Sequence, residues 1–140
     1  MTWPTTGADS STCTMPVAID GESVGTLRIT IKRSVPRNWK FKLSLRREEV
    51  LSWHFTQHAG RHTNPPACGP GFKPKVHGRQ QEHCWSPVVG RCRCARELPP
   101  RLDAIDDLRD ALGAFCDRAR IDFEPPFSPP ATGEQGVLLL

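Results

Sequence analysis

At 140 residues, 37% hydrophobic and 24% charged, the chain has the size and make-up of one ordinary soluble domain with a single core. Nowhere do enough apolar residues run together to cross a bilayer, and Met1 to Ser11 has neither the basic nor the apolar region of an export signal. A membrane span is therefore excluded on the sequence and the cytoplasm is the expected location. The net charge of +4 is unevenly spread: residues 1–100 hold 15 Lys and Arg against seven Asp and Glu, whereas residues 101–140 hold four against eight.

Residues 1–16 are polar and rich in Pro, Gly, Ser and Thr, and read as a flexible arm. From Val17 a short strand runs into the turn Asp20-Gly21. Leu27, Ile29 and Ile31 then alternate with Arg28, Thr30 and Lys32, the pattern of a half-buried strand. After a turn at Ser34 to Asn38, Trp39, Phe41, Leu43 and Leu45 alternate with Lys40, Lys42, Ser44 and Arg46. The two segments are expected to pair as an antiparallel hairpin, each buried apolar side chain contributing about 1.5–3 kcal/mol and so fixing the register.

Val50 to His58 reads as a third strand, because Leu51, Trp53 and Phe55 alternate with Ser52, His54 and Thr56. That places His54, Thr56 and His58 on one face; a helix would instead align His54, His58 and His62. Gly60 to Pro74 is expected to be a long loop, with Val76-His77 and Trp85 to Val89 adding a strand or two. Pro99-Pro100 closes this half. Arg101 to Ile121 is the predicted helix, with Leu102, Ile105, Leu108, Leu112, Phe115, Cys116 and Ala119 at three- and four-residue steps. Asp103, Asp106, Asp107 and Asp110 lie toward its N-terminal half and Arg118 and Arg120 toward its C-terminal end, as the helix dipole favours. The fold expected is α+β: an antiparallel meander of three to five strands covered by one C-terminal amphipathic helix. Residues 17–127 form the domain, and 128–140 a tail in which Gly136 to Leu140 offers an edge strand.

Between Ser23 and Arg47 there is no acidic residue, and the strand pattern sends Arg28, Lys32, Lys40, Lys42 and Arg46 to the face away from the core. Such a face can follow a phosphate backbone, or it can serve only to solubilise the sheet and discourage edge pairing.

All five histidines fall between His54 and His83. A strand leading into His62-Thr63-Asn64-Pro65, a second histidine segment at Lys75 to Gly78, and a helix running into Pro125-Pro126-Phe127 follow one another along the last two thirds of the chain. In that pattern it resembles small phage- and mobile-element-encoded α+β proteins, some grouped with toxin–antitoxin components. Lys75 stands where such a protein would carry the second histidine of a His-Xaa-His pair. The resemblance implies an RNA-directed, toxin-like or host-interfering role with a cognate antitoxin as partner.

Two imidazoles can cleave RNA without a metal, one taking the 2′-hydroxyl proton and the other protonating the leaving oxygen. His62 and His77 are the expected pair, with Arg61 and Arg79 stabilising charge; the alternative is that His62 and Asn64 only cap a loop. Cys68, His77, His83, Cys84, Cys92 and Cys94 form a second constellation. Four ligands drawn from it, foremost Cys68, Cys84, Cys92 and Cys94, would suit a structural zinc ion. The Cys-Xaa-Cys spacing at Cys92 and Cys94 matches no zinc-finger pattern, so free thiols are the expected state and no cofactor other than zinc is implied. Three functions stay open at this point. The first is a basic protein that binds or cleaves RNA, the second a non-catalytic inhibitor of a nucleic-acid-handling protein, and the third a zinc-stabilised DNA-binding regulator.

Overall fold

The computed structural model describes residues 3–5 and 7–123, so the tail at 128–140 lies outside the described residues. Among the described residues six strands follow in chain order: β1 (Ser10–Ile19), β2 (Glu22–Lys32), β3 (Trp39–Leu45), β4 (Glu48–Thr63), β5 (Lys75–Ser86) and β6 (Arg91–Glu97). They form one sheet in the order β1-β2-β3-β4-β5-β6, each strand antiparallel to the next. One α-helix, α1 (Leu108–Ala119), follows them. The α+β meander with its C-terminal helix is thus as expected, but with six strands in place of three to five.

The β2–β3 hairpin has the register its alternation demands, with Leu27 opposite Leu43, Ile29 opposite Phe41 and Ile31 opposite Trp39. Val50 to His58 is strand, inside β4, and Phe41 pairs with Trp53. β1 starts at Ser10, within the stretch expected to be a loose arm. Its inward residues Ser11 and Cys13 are small, so their burial at 3% and 1% exposure leaves no apolar mark in the sequence. The predicted loop from Gly60 is shorter than expected, because β4 runs on to Thr63 and β5 resumes at Lys75.

α1 covers one face of the sheet. The Phe115 ring stacks on Phe41 at 5.5 Å and meets Trp53 edge-on at 5.4 Å, and Leu108, Leu112 and Cys116 are buried beside it. The helix begins seven residues later than predicted because Asp107, in extended conformation, caps it by accepting from the Asp110 amide at 2.8 Å. Pro100–Ala104 is instead a 3₁₀ turn. Arg37 fixes this approach: its Nε donates to the Ile105 carbonyl at 2.6 Å and its Nη2 to the Leu102 carbonyl at 3.2 Å, while the guanidinium lies 5.5 Å from the Phe55 ring centre. Glu82, 2% exposed, ties helix to sheet by accepting from Trp53 Nε1 at 3.0 Å and pairing with Arg118 Nε at 2.8 Å and Arg96 Nε at 3.4 Å. Among the described residues no helix is long and apolar enough to cross a membrane.

Candidate functional site

The face of the sheet away from α1 is polar. Residues directly opposite in an antiparallel ladder share a face, and neighbouring strands lie about 4.8 Å apart, so the register strings side chains into continuous rows. One row reads Thr14, Arg28, Lys42, Ser52, His83, Ala95; the next reads Thr12, Thr30, Lys40, His54, Gln81, Glu97. Arg28, Lys32 and Lys40 are exposed on this face, as the alternation predicts. Arg46 is not part of it. Leu45 and Glu48 are joined by a two-residue turn that needs positive φ at both central positions, and Arg46 and Arg47 supply it with φ of 49° and 69°. Arg28 and Lys42 stand opposite each other, a repulsive arrangement relieved by the Lys42–Glu49 ion pair at 2.9 Å. Partial burial raises the Glu49 carboxyl, but hydrogen bonds from Lys42 and Ser52 and the Lys42 and Lys40 charges outweigh it and hold the group below its ordinary value.

The far end of this face is shaped by the β4–β5 hairpin. Between Phe55 and Gly60 the register slips, so that β4 carries extra residues opposite β5 and the distal arm bends. Gln81 holds the bend with its Nε2, which donates to the Gly60 carbonyl at 2.8 Å and the Gly78 carbonyl at 3.2 Å. A Cβ at Gly78 would sit 2.5 Å from Glu97 Oε1, so any larger residue there would have to push that exposed side chain aside.

The arm then reaches the outer edge of β6. His62 Nε2 lies 2.9 Å from the Arg93 carbonyl. Asn64, 5% exposed, acts as a strand surrogate: its Oδ1 accepts from the Ala95 amide at 2.7 Å and its Nδ2 donates to the Ala95 carbonyl at 2.8 Å. A disulfide joins Cys68 of the hairpin tip to Cys94 of β6, and Arg96 lies 4.7 Å from the Phe72 ring centre.

Folding the arm over the sheet brings three histidines together. His54 and His83 stack with ring centres 4.7 Å apart, and His62 meets His83 edge-on at 4.8 Å. They line a recess of about 210 Å3 with Gln81, Arg61 and Arg79. Burial, reinforced by His83, Lys40 and Lys42, drives the His54 pKa down to about 4 against the opposing pull of Glu49. Burial, then His62 and Lys40, lowers His83 as well, again against Glu49. Both rings are therefore neutral at pH 7.

This has a sign for stability. Between pH 6.5 and about 4 the unfolded chain binds a proton at His54 that the folded one refuses, so folding weakens as pH falls through that window. Denaturant unfolding should show a loss of about 2 kcal/mol from this group between pH 7 and pH 5, taking 1.36 kcal/mol per pKa unit. His54→Gln should remove that part of the pH dependence. An equal pH dependence in both proteins would contradict the buried neutral imidazole.

His62 belongs to the cluster, but His77 does not. Arg61 pairs with His77 and His62 with Val76, so His62 and His77 point to opposite faces of the arm, and His77 is exposed. His83 takes the place next to His62 that the sequence reading gave to His77. Its position opposite Ser52 is visible only once the β4–β5 register is known.

The cysteines also depart from expectation. Cys68 and Cys94 are oxidised to a disulfide rather than held as free thiols, which removes two of the proposed thiolate ligands in this state. Cys84 lies beside them, its thiol 3.4 Å from the Cys94 carbonyl. Cys92 is in β6 with its side chain outside the described part of the structure. Among the described residues no three His, Cys, Asp or Glu side chains are placed to hold a metal ion. Comparison with family models, curated proteins and solved structures finds no match for the chain.

Proposed function

We propose that the polar face of the sheet binds RNA. The observation that carries this reading is the pair of cross-strand rows, in which Arg28, Lys42 and Lys40 are followed without interruption by Ser52, His54 and His83. The cations match a phosphate backbone, whose neutralisation releases counterions and drives binding. The hydroxyls of Thr12 and Thr30 and the neutral imidazoles both donate and accept hydrogen bonds, as the ribose 2′-hydroxyl does, while buried Ser52 braces His54 from beneath. A face with two like charges directly opposed is costly to the fold alone and becomes favourable against a polyanion.

The histidine recess supports a second reading in which the bound RNA is cleaved. His83, neutral at pH 7, takes the 2′-hydroxyl proton as that oxygen attacks phosphorus; the 5′-oxygen leaves with a proton supplied by the neighbouring His62. Arg61 and Arg79 sit at the same recess to offset the charge gained by the phosphorane.

Fluorescence anisotropy with a labelled single-stranded RNA, titrated at several salt concentrations, tests the first reading, and a gel of the same mixtures tests the second. Saturable binding that weakens with salt by about 0.7 log units per log unit of salt for each phosphate contacted is the expected result. RNA cleaved by the wild type and spared by His83→Ala would establish the nuclease. An absence of binding at low salt would overturn both readings and leave the charged face to a protein partner.

A further inference from the structure

We propose that Trp85 and the residues around it form a nucleobase subsite, so that the RNA taken by this protein is single-stranded, with an unpaired base that carries an exocyclic amino group. The inference rests on the RNA-binding reading and gives it a substrate class. Trp39 and Trp53 are buried at 5% and 3% exposure, whereas Trp85 is 40% exposed near the end of β5. Trp85 follows His83 by two residues on β5 and so falls on the same polar face, and the ladder slips beside it, with Arg93 of β6 as the extra residue.

Around it Gly90, Arg91 and Arg93 from the β6 side and Glu48 and Glu49 from the start of β4 line a recess of about 350 Å3. The recess is continuous with the cationic rows, because Glu49 is the carboxylate that meets Lys42 at 2.9 Å. An RNA strand lying along the row of Arg28, Lys42 and His83 reaches Trp85 two residues past His83 on the same face of β5.

Each part has a use for an unpaired base. Indole is a stacking platform for any base, and Arg91 and Arg93 flank it with the charge that the adjoining phosphates need. Two carboxylates in the same recess repel phosphate but accept hydrogen bonds from an amino group such as N4 of cytosine. Glu49 is engaged with Lys42, which leaves Glu48, an exposed side chain, as the reader of the base edge. In duplex RNA the bases are stacked on one another and paired, and none can lie on the indole without being extruded.

The test compares wild type, Trp85→Ala, Trp85→Phe and Glu48→Ala in anisotropy titrations with oligocytidylate, oligouridylate and a duplex RNA of equal length. Trp85 is largely at the surface, so matched thermal unfolding curves verify that the variants keep the fold. Trp85→Ala should weaken oligocytidylate binding about ten-fold, Trp85→Phe should retain most of the affinity, and the duplex should be bound equally by wild type and Trp85→Ala. The wild type should prefer oligocytidylate to oligouridylate, and Glu48→Ala should erase that preference. If the wild type binds RNA and Trp85→Ala binds oligocytidylate as tightly, the subsite is overturned while the RNA-binding face stands. If the wild type binds none of the three, the face itself is overturned and the subsite with it.

Discussion

Reversing two charges, Lys40→Glu with Lys42→Glu, is expected to cut RNA affinity by about 100-fold at moderate salt and to lower the salt dependence by about 1.4 log units per log unit, two single-strand phosphate contacts at about 0.7 each. The two lysines sit side by side on β3, each in a different row, at the centre of the proposed path. Lys40 is exposed and Lys42 half-buried, and neither contributes to the apolar face under α1, so unfolding curves should move little. Lys42→Glu forfeits the Glu49 ion pair and sets two carboxylates together, a modest cost at a partly solvated site. Anisotropy at three salt concentrations gives both numbers. Affinity and slope equal to the wild type would show that the rows do not carry the phosphates.

Cleavage of the Cys68–Cys94 bond is expected to lower stability by about 3.5 kcal/mol, the amount chain entropy assigns to a loop of this length. The bridge spans a sequence separation of 26 and closes the hairpin tip onto the sheet's outer strand. Urea unfolding of the wild type with and without reductant, and of Cys68→Ser, measures it. The reduced wild type and the variant should agree, since Cys68 is half-buried in the tip and its replacement leaves no cavity in the core. Identical unfolding with and without reductant would mean that the two thiols are not joined in solution. The histidine recess should survive reduction, because Asn64 still grips both backbone groups of Ala95 and His62 still meets the Arg93 carbonyl.

What the sequence made legible follows from which residues face one way. Leu27 to Lys32 of β2, all of β3 and Leu51 to Thr56 of β4 alternate between apolar and polar, so their pairing, their inward rows and the outward cations Arg28, Lys32, Lys40 and Lys42 could be read directly. β5 defeats that reading. Gln80, Gln81, Glu82 and His83 are four polar residues in succession, and the two on the helix side, Gln80 and Glu82, are buried because Arg37, Arg96, Arg118 and the Trp53 indole satisfy them. A run polar on both faces carries no period. The cluster of His54, His62 and His83 was hidden for the same reason, with the register slip after Phe55 as a second obstacle. The disulfide was hidden too, since nothing in the spacing of Cys68 and Cys94 reveals that the hairpin tip curls round to β6. Arg46 was misplaced because its alternation continued through a turn that takes φ of 49° at that residue.

The most direct test of the central claim is an amide chemical-shift map of the isotopically labelled protein during titration with a short single-stranded RNA. RNA on the polar face should perturb Thr12, Arg28, Thr30, Lys40, Lys42 and His83, with the effect fading toward the solvent side of α1. Shifts confined to α1, or none at RNA concentrations in the hundreds of micromolar range expected to populate even weak single-strand complexes, roughly the non-specific regime, would contradict it.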